Sequence, residues 1–188
     1  MAAVLATAMS LGFLSGCASA DSRPPSCSRT EASIFVLEAQ SVPSATLLPC
    51  LLQLPVGWTY TGDHLIKDGI SRFWLDSDRA GVHAAEVELA RSCDVSKAVA
   101  VTASADEAPA VAFEEPLSLP PNFAGARFLQ FPGGCVTERF KFSGDSPGTM
   151  ALEVEQAVSV VKRQVIVDRV SATLGLKLCG AGAPPCGG

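Results

Sequence analysis

Six cysteines spread along the chain constrain its fold more than any other feature. Cys27, Cys50, Cys93, Cys135, Cys179 and Cys186 all follow an uncharged thirteen-residue run, Ala2 to Leu14 (AAVLATAMSLGFL). That run has the length of a secretory signal core and is too short to cross a bilayer as a helix. Export places the cysteines under oxidising conditions, where an even set in a small domain pairs into disulfides. Three bridges are expected, and spacing leaves all fifteen pairings open. Metal or redox chemistry is the competing use of cysteine, but there is no Cys-x-x-Cys, and the closest pair, Cys179 and Cys186, encloses GAGAPP. Zinc knuckles and thioredoxin-like centres need closer thiols. A thiol-disulfide or metal carrier built on Cys179 and Cys186 therefore ranks third among the readings of function, and no cofactor or metal is expected.

The seventh cysteine, Cys17, ends the run Leu14-Ser15-Gly16-Cys17: an apolar residue, two small ones, then cysteine. This run resembles the lipobox of bacterial lipoproteins. The resemblance implies that a diacylglycerol is joined to the Cys17 sulfur and that residues 1–16 are cut away as a signal peptide. Cys17 then becomes a lipidated first residue, and acyl chains such as palmitate hold the protein on the extracytoplasmic face of the cell membrane. Paired chains fit the physics, since one acyl chain gives only marginal, reversible binding. The next residues, ASADSRPPSCSRT, are small, polar and proline-containing, so residues 17–30 read as a flexible tether.

What remains, residues 31–188, is the size of one domain with room for a core. The formal net charge is −5, and Lys and Arg are scattered without a basic run. Phosphate-dominated nucleic-acid binding leaves a different footprint and is excluded. The expected partners are the membrane, through the lipid on Cys17, and an envelope protein or cell-wall component.

Local patterning predicts the elements. Residues 34–42 (IFVLEAQSV) are rich in β-branched and aromatic residues and stop at Pro43, which reads as a strand with a short helix in competition. LLPCLLQLPVGW, bracketed by Pro49 and Pro55, reads as a short buried segment, about one helical turn. From Trp58 a three-strand meander is predicted, turning at Asp68-Gly69 and again over Asp78 to Gly81. Its third strand puts His83, Ala85, Val87 and Leu89 on one face and Ala84, Glu86 and Glu88 on the other. ASADEAPAVAFEEPLSLPPN reads as a long loop with a short edge segment, and GARFLQFPGGCVTERFKF as an antiparallel hairpin turning at Pro-Gly-Gly. A helix follows to about Val158, with Ser146 as its side-chain cap and Pro147 at its first position. A second, from about Arg163, carries Ile166, Val167, Val170 and Leu174 at helical spacing and ends at Gly175. Strands first and helices late predict an α+β domain: an antiparallel sheet with helices on one face.

Chemistry-bearing residues are few. His64 and His83 are the two histidines, and neither has metal-ligand spacing. Glu86 with Glu88, and Asp76 with Asp78, form carboxylate pairs that could work as acid and base or hold a cation; such pairs are more often a solvated strand face and a solvated turn. GDSPG, residues 144–148, satisfies Gly-x-Ser-x-Gly. A nucleophile elbow, however, draws an oxyanion donor from the backbone N–H after the serine, and here that residue is Pro147, which has none. Both histidines also precede the serine, against the α/β-hydrolase order. The expected function is a non-enzymatic binding or interaction module of the envelope. The alternative is an envelope hydrolase using Ser146 with His64 or His83 and an acid such as Asp76.

Overall fold

In the computed structural model, residues 23–28, 33–67, 69–119, 122–143 and 146–186 are described. Helix α1 (Ser33–Ser41) leads into strand β1 (Leu47–Leu51). The meander β2 (Trp58–Lys67), β3 (Ile70–Ser77) and β4 (Gly81–Ala90) follows. Then come β5 (Val99–Val101), β6 (Val111–Ser118), β7 (Asn122–Phe131), β8 (Gly134–Ser143), α2 (Pro147–Ala157), β9 (Val158–Lys162) and α3 (Arg163–Leu174). Seven strands form one antiparallel sheet in the order β2-β3-β4-β8-β7-β6-β5, while β1 and β9 pair by themselves. The class is the expected α+β.

One sheet face carries the core. Phe73 and Leu75 of β3, Ala85, Val87 and Leu89 of β4, and Val136, Phe140 and Phe142 of β8 are buried on it, every second residue as pleating requires. Against them pack Phe35, Ala39 and Val42 from α1 and its end, Met150 and Val154 from α2, and Ile166 and Val170 from α3. The β7–β8 hairpin turns as expected: Pro132 and Gly133 form a two-residue loop, and Gly133 has φ +77°. A β-carbon there would also lie 1.9 Å from the Ser44 carbonyl oxygen, so only glycine fits.

Several local expectations are corrected. Residues 34–41 form helix, with Val42 just past its end, because Phe35, Ala39 and Val42 fall at i, i+4 and i+7 and bury one stripe. LLPCL is a strand, buried throughout, that pairs with β9, a strand not foreseen. The Pro- and Ala-rich interval holds a single turn of 3-10 helix at Ala105–Glu107 and the eight-residue β6, paired on both sides. Ser146 precedes α2 in the left-handed region (φ 58°), and its hydroxyl makes no capping bond. α3 ends as read, with Gly175 at φ 63°.

The three disulfides join Cys27–Cys50, Cys93–Cys135 and Cys179–Cys186, each cysteine bonded to the next along the chain. Within the expected tether, the Pro25 carbonyl accepts from Leu51 N–H, and Cys27 N–H donates to the Leu51 carbonyl. This stretch is thus fastened to β1. The C-terminal tail is fastened by Arg163, whose buried guanidinium donates to the carbonyls of Ala39 and Cys179 at 2.6 Å each. Cys17 and the lipobox run lie outside the described residues, and no helix among the described residues is long and apolar enough to cross a membrane.

Candidate functional site: a groove on the open sheet face

The sheet face turned away from the helices is polar, and its order follows from the strand register. Arg72 of β3 lies opposite Glu88 of β4, Trp74 lies opposite Glu86, and Glu86 in turn faces Arg139 of β8. These four charges close on one another. Arg72 Nε sits 3.2 Å from Glu86 and 3.1 Å from Glu88, and its outer nitrogen also donates to Glu88. Arg139 reaches Glu86 at 3.1 Å and Glu88 at 3.3 Å. The Trp74 indole N–H donates to Glu86 at 3.2 Å. Two cations and two anions, all partly shielded, leave this patch formally neutral.

Beside it the chain makes a wall. After β4, residues 91–98 run over the open face, held there by the Cys93–Cys135 disulfide and by Val95 and Ala98 packing on Ala126 and Phe128. Between this segment and strands β4, β8, β7 and β6 lies a groove of about 400 Å³. Its floor is Glu88, Thr137, Arg139 and Phe128; Ser92, Asp94, Ser96 and Lys97 form one side, and Glu115 and Leu117 the other. The Ser96 N–H, 2.9 Å from Asp94, holds that carboxyl below the usual carboxylate range, so it stays charged.

The helix-covered face hides a second charged cluster. Arg127 of β7 lies opposite Glu138 of β8 and is 5% exposed. Its guanidinium donates to both oxygens of Glu107, one bond measuring 2.9 Å, and stands 3.6 Å from Glu138. Burial pushes Glu107 up, but the Arg127 guanidinium and the Ser104 N–H at 2.6 Å outweigh it and leave this acid lowered. Glu138 is fully buried and neither oxygen accepts a hydrogen bond; burial drives its carboxyl far up, against the pull of Arg127. Burial and Glu114 likewise raise Glu155 on α2.

The sequence-predicted residues are distributed as follows. Glu86 and Glu88 share a face, as alternation implies, but both are engaged by arginines. His83 departs from its expected face: with φ 52° it breaks the alternation and stacks on Trp74, 5.1 Å between ring centres. Asp76 accepts at 2.7 Å from the backbone N–H of His83, and Asp78 stands 3.7 Å from Arg79. Ser146 is exposed at the start of α2. The His64 side chain, Gly144, Asp145 and Asp68 lie outside the described residues. Cys179 and Cys186 are bonded to each other. Among the described residues no group of three or more His, Cys, Asp or Glu is placed to hold a metal ion.

Sequence reasoning missed two things. Arg127 shares the parity of Leu129 and Phe131, and Glu138 that of Val136 and Phe140; a charge on an apolar parity in both arms of one hairpin was the available signal. For residues 91–98 the signal was only Cys93 itself, whose partner the sequence did not name. Compared with known proteins, the chain matches no family model, no curated sequence and no solved structure.

Proposed function

We propose that the protein is a lipid-anchored binding module of the bacterial envelope, tethered through Cys17 on the extracytoplasmic face and taking its ligand in the open-face groove. The observation that supports this reading is the groove's construction: a concavity of about 400 Å³, walled by a segment that the Cys93–Cys135 disulfide holds in place. Concave sites with a few convergent polar groups on a rigid frame are where small ligands bind. The ligand class follows from the charges. Glu88 and Arg139 are matched within the floor, so a strongly charged ligand gains little from them, whereas the exposed Ser92 and Ser96 offer hydroxyls and Phe128 and Leu117 apolar surface. A hydroxyl-rich, near-neutral cell-wall fragment fits that mixture.

The test is calorimetric titration of the purified lipoprotein with soluble cell-wall saccharides, alongside Arg139→Ala and Ser96→Ala. Each substitution should weaken binding by about tenfold, or about 1.4 kcal/mol. Unchanged affinity in both variants would remove the groove from the reading. For the anchor, Cys17→Ala should move the protein out of the membrane fraction; retention there with unaltered processing would refute lipidation.

A further inference from the structure

We infer that the turn after β1 is a membrane-docking element that rests on the bilayer and sets the orientation of the domain; the inference depends on Cys17 carrying the lipid, as proposed above. From Ala39 to Gly62 the chain contains no charged residue. Within this stretch, residues 52–57 (Leu-Gln-Leu-Pro-Val-Gly) expose Leu52 at 48% and Val56 at 97%. The turn is built rather than loose. Trp58 N–H donates to the Pro55 carbonyl at 3.1 Å, Gly57 takes φ +85°, and the Gly57 carbonyl accepts from Asp78 N–H at 2.9 Å. Pro55 and Gly57 therefore hold Val56 at the tip, above the buried Trp58. Beside the turn Arg79 is shared by Asp78 and Glu153, which leaves one net negative charge there and makes a zwitterionic rather than an anionic lipid surface the fitting partner.

The place where the anchor joins the fold selects the occupant. The chain is fastened to β1 at Leu51, through the Pro25 carbonyl and the Cys27–Cys50 bridge. Between Cys17 and Pro25 the linker reaches at most about 28 Å when fully extended and about 16 Å as a flexible coil. Leu52 adjoins the fastening point and Val56 follows four residues later, so the turn is held within a lipid's reach. β1 packs against β4 and β8, three to four strand spacings or about 14–19 Å from the sheet edge at β5, so it is the adjacency of Leu52 to the fastening point, not reach alone, that favours this turn. An anchored chain converts the second contact into an intramolecular one, so two aliphatic side chains are enough to bias orientation without adding much affinity.

The experiment uses the full lipoprotein in zwitterionic vesicles of brominated phosphatidylcholine, whose acyl bromines quench nearby indoles. Intact mass first reports whether Cys17 is diacylated. Val56→Trp should lose the emission of its added indole relative to unbrominated vesicles, whereas Val99→Trp, on β5 and 67% exposed, should not. Val56→Asp should stay vesicle-bound while the backbone amides of residues 52–57 lose the protection from hydrogen exchange that vesicles confer. Diacylated protein with equal quenching at both sites, or none at either, overturns the docking inference alone. A mass without acyl chains overturns the anchor reading and the docking inference with it.

Discussion

Removing the guanidinium at Arg127 tests the energetic account of the core directly. Arg127→Met keeps a similar volume but strips Glu107, 1% exposed, of both hydrogen bonds from the guanidinium and leaves Glu138 with no cation beside it. Breaking a buried pair by removing one partner costs about 3–5 kcal/mol, because a charge is stranded in a poorly solvating medium. For a domain of this size that lowers Tm by roughly 6–20 °C, a large share of a total stability near 5–15 kcal/mol. The assay is equilibrium unfolding in urea with disulfides intact, on Arg127→Met, Glu107→Gln and the double variant. Gln at 107 removes the stranded charge, so the double variant should be more stable than the sum of the singles predicts. The direction with pH is also fixed. Glu107 is lowered in the fold, so its contribution is present above the unfolded carboxylate value and disappears as pH falls through the folded one. The Arg127→Met penalty should accordingly shrink in acid. A loss under about 1 kcal/mol, or strict additivity, would refute the buried-pair account.

Other outcomes follow from single features. Glu138, raised by burial, contributes stability that is complete below its unfolded value and is lost as pH rises through the folded one; Glu138→Gln should flatten that decline with rising pH, and an unchanged pH profile would show that the proton is not held there. Chain entropy ranks the disulfides by separation, 42, 23 and 7 residues, giving about 3.9, 3.4 and 2.4 kcal/mol for Cys93–Cys135, Cys27–Cys50 and Cys179–Cys186. Pairwise Cys→Ala denaturation series check that order. Ser146→Gly should stabilise the fold by about 0.5–1 kcal/mol by relieving the left-handed backbone. Labelling of native Ser146 by a fluorophosphonate would instead point to a reactive serine.

How much of this was legible depends on whether a segment is buried on one side or two. β3 alternates strictly because one face meets the core and the other is half-exposed, which made the meander readable, whereas the β7–β8 hairpin was readable from its Pro-Gly-Gly turn although residues 125–129 and 134–138 are buried on both faces. β1 is buried at all five positions, so its sequence LLPCL carries no alternation to distinguish strand from helix. In α1 the polar Glu38 sits inside the buried stripe with Phe35 and Ala39, which blurs the helical period and leaves the β-branched composition to mislead. β9 follows α2 and precedes α3 without a turn residue between them, so its Val-rich sequence reads as helix continuing. Pro116 and two glutamates disguise β6 as a loop; the proline is tolerated because it sits beside an irregularity in the β6–β7 pairing. At the groove, alternation put Glu86 and Glu88 together, but the strand order that places Arg72 and Arg139 on either side is a long-range property that no local window contains.

The fastening of the C-terminal tail bears on the order in which the chain can complete itself. Arg163 donates to the Ala39 carbonyl, 124 residues earlier in sequence, and Ala181 N–H donates to the Pro43 carbonyl at 2.7 Å. α1 therefore finishes one of its ends with groups synthesised more than 120 residues later, and β1 waits similarly for β9. Such distant pairings close late, because loop entropy must be overcome before they stabilise anything. For a chain that leaves the cytoplasm through a narrow channel, as the leader proposes, this timing is useful. Under the export proposed above, α1 and β1 would emerge without the partners that lock them, stay threadable, and set only once residues 158–181 had followed.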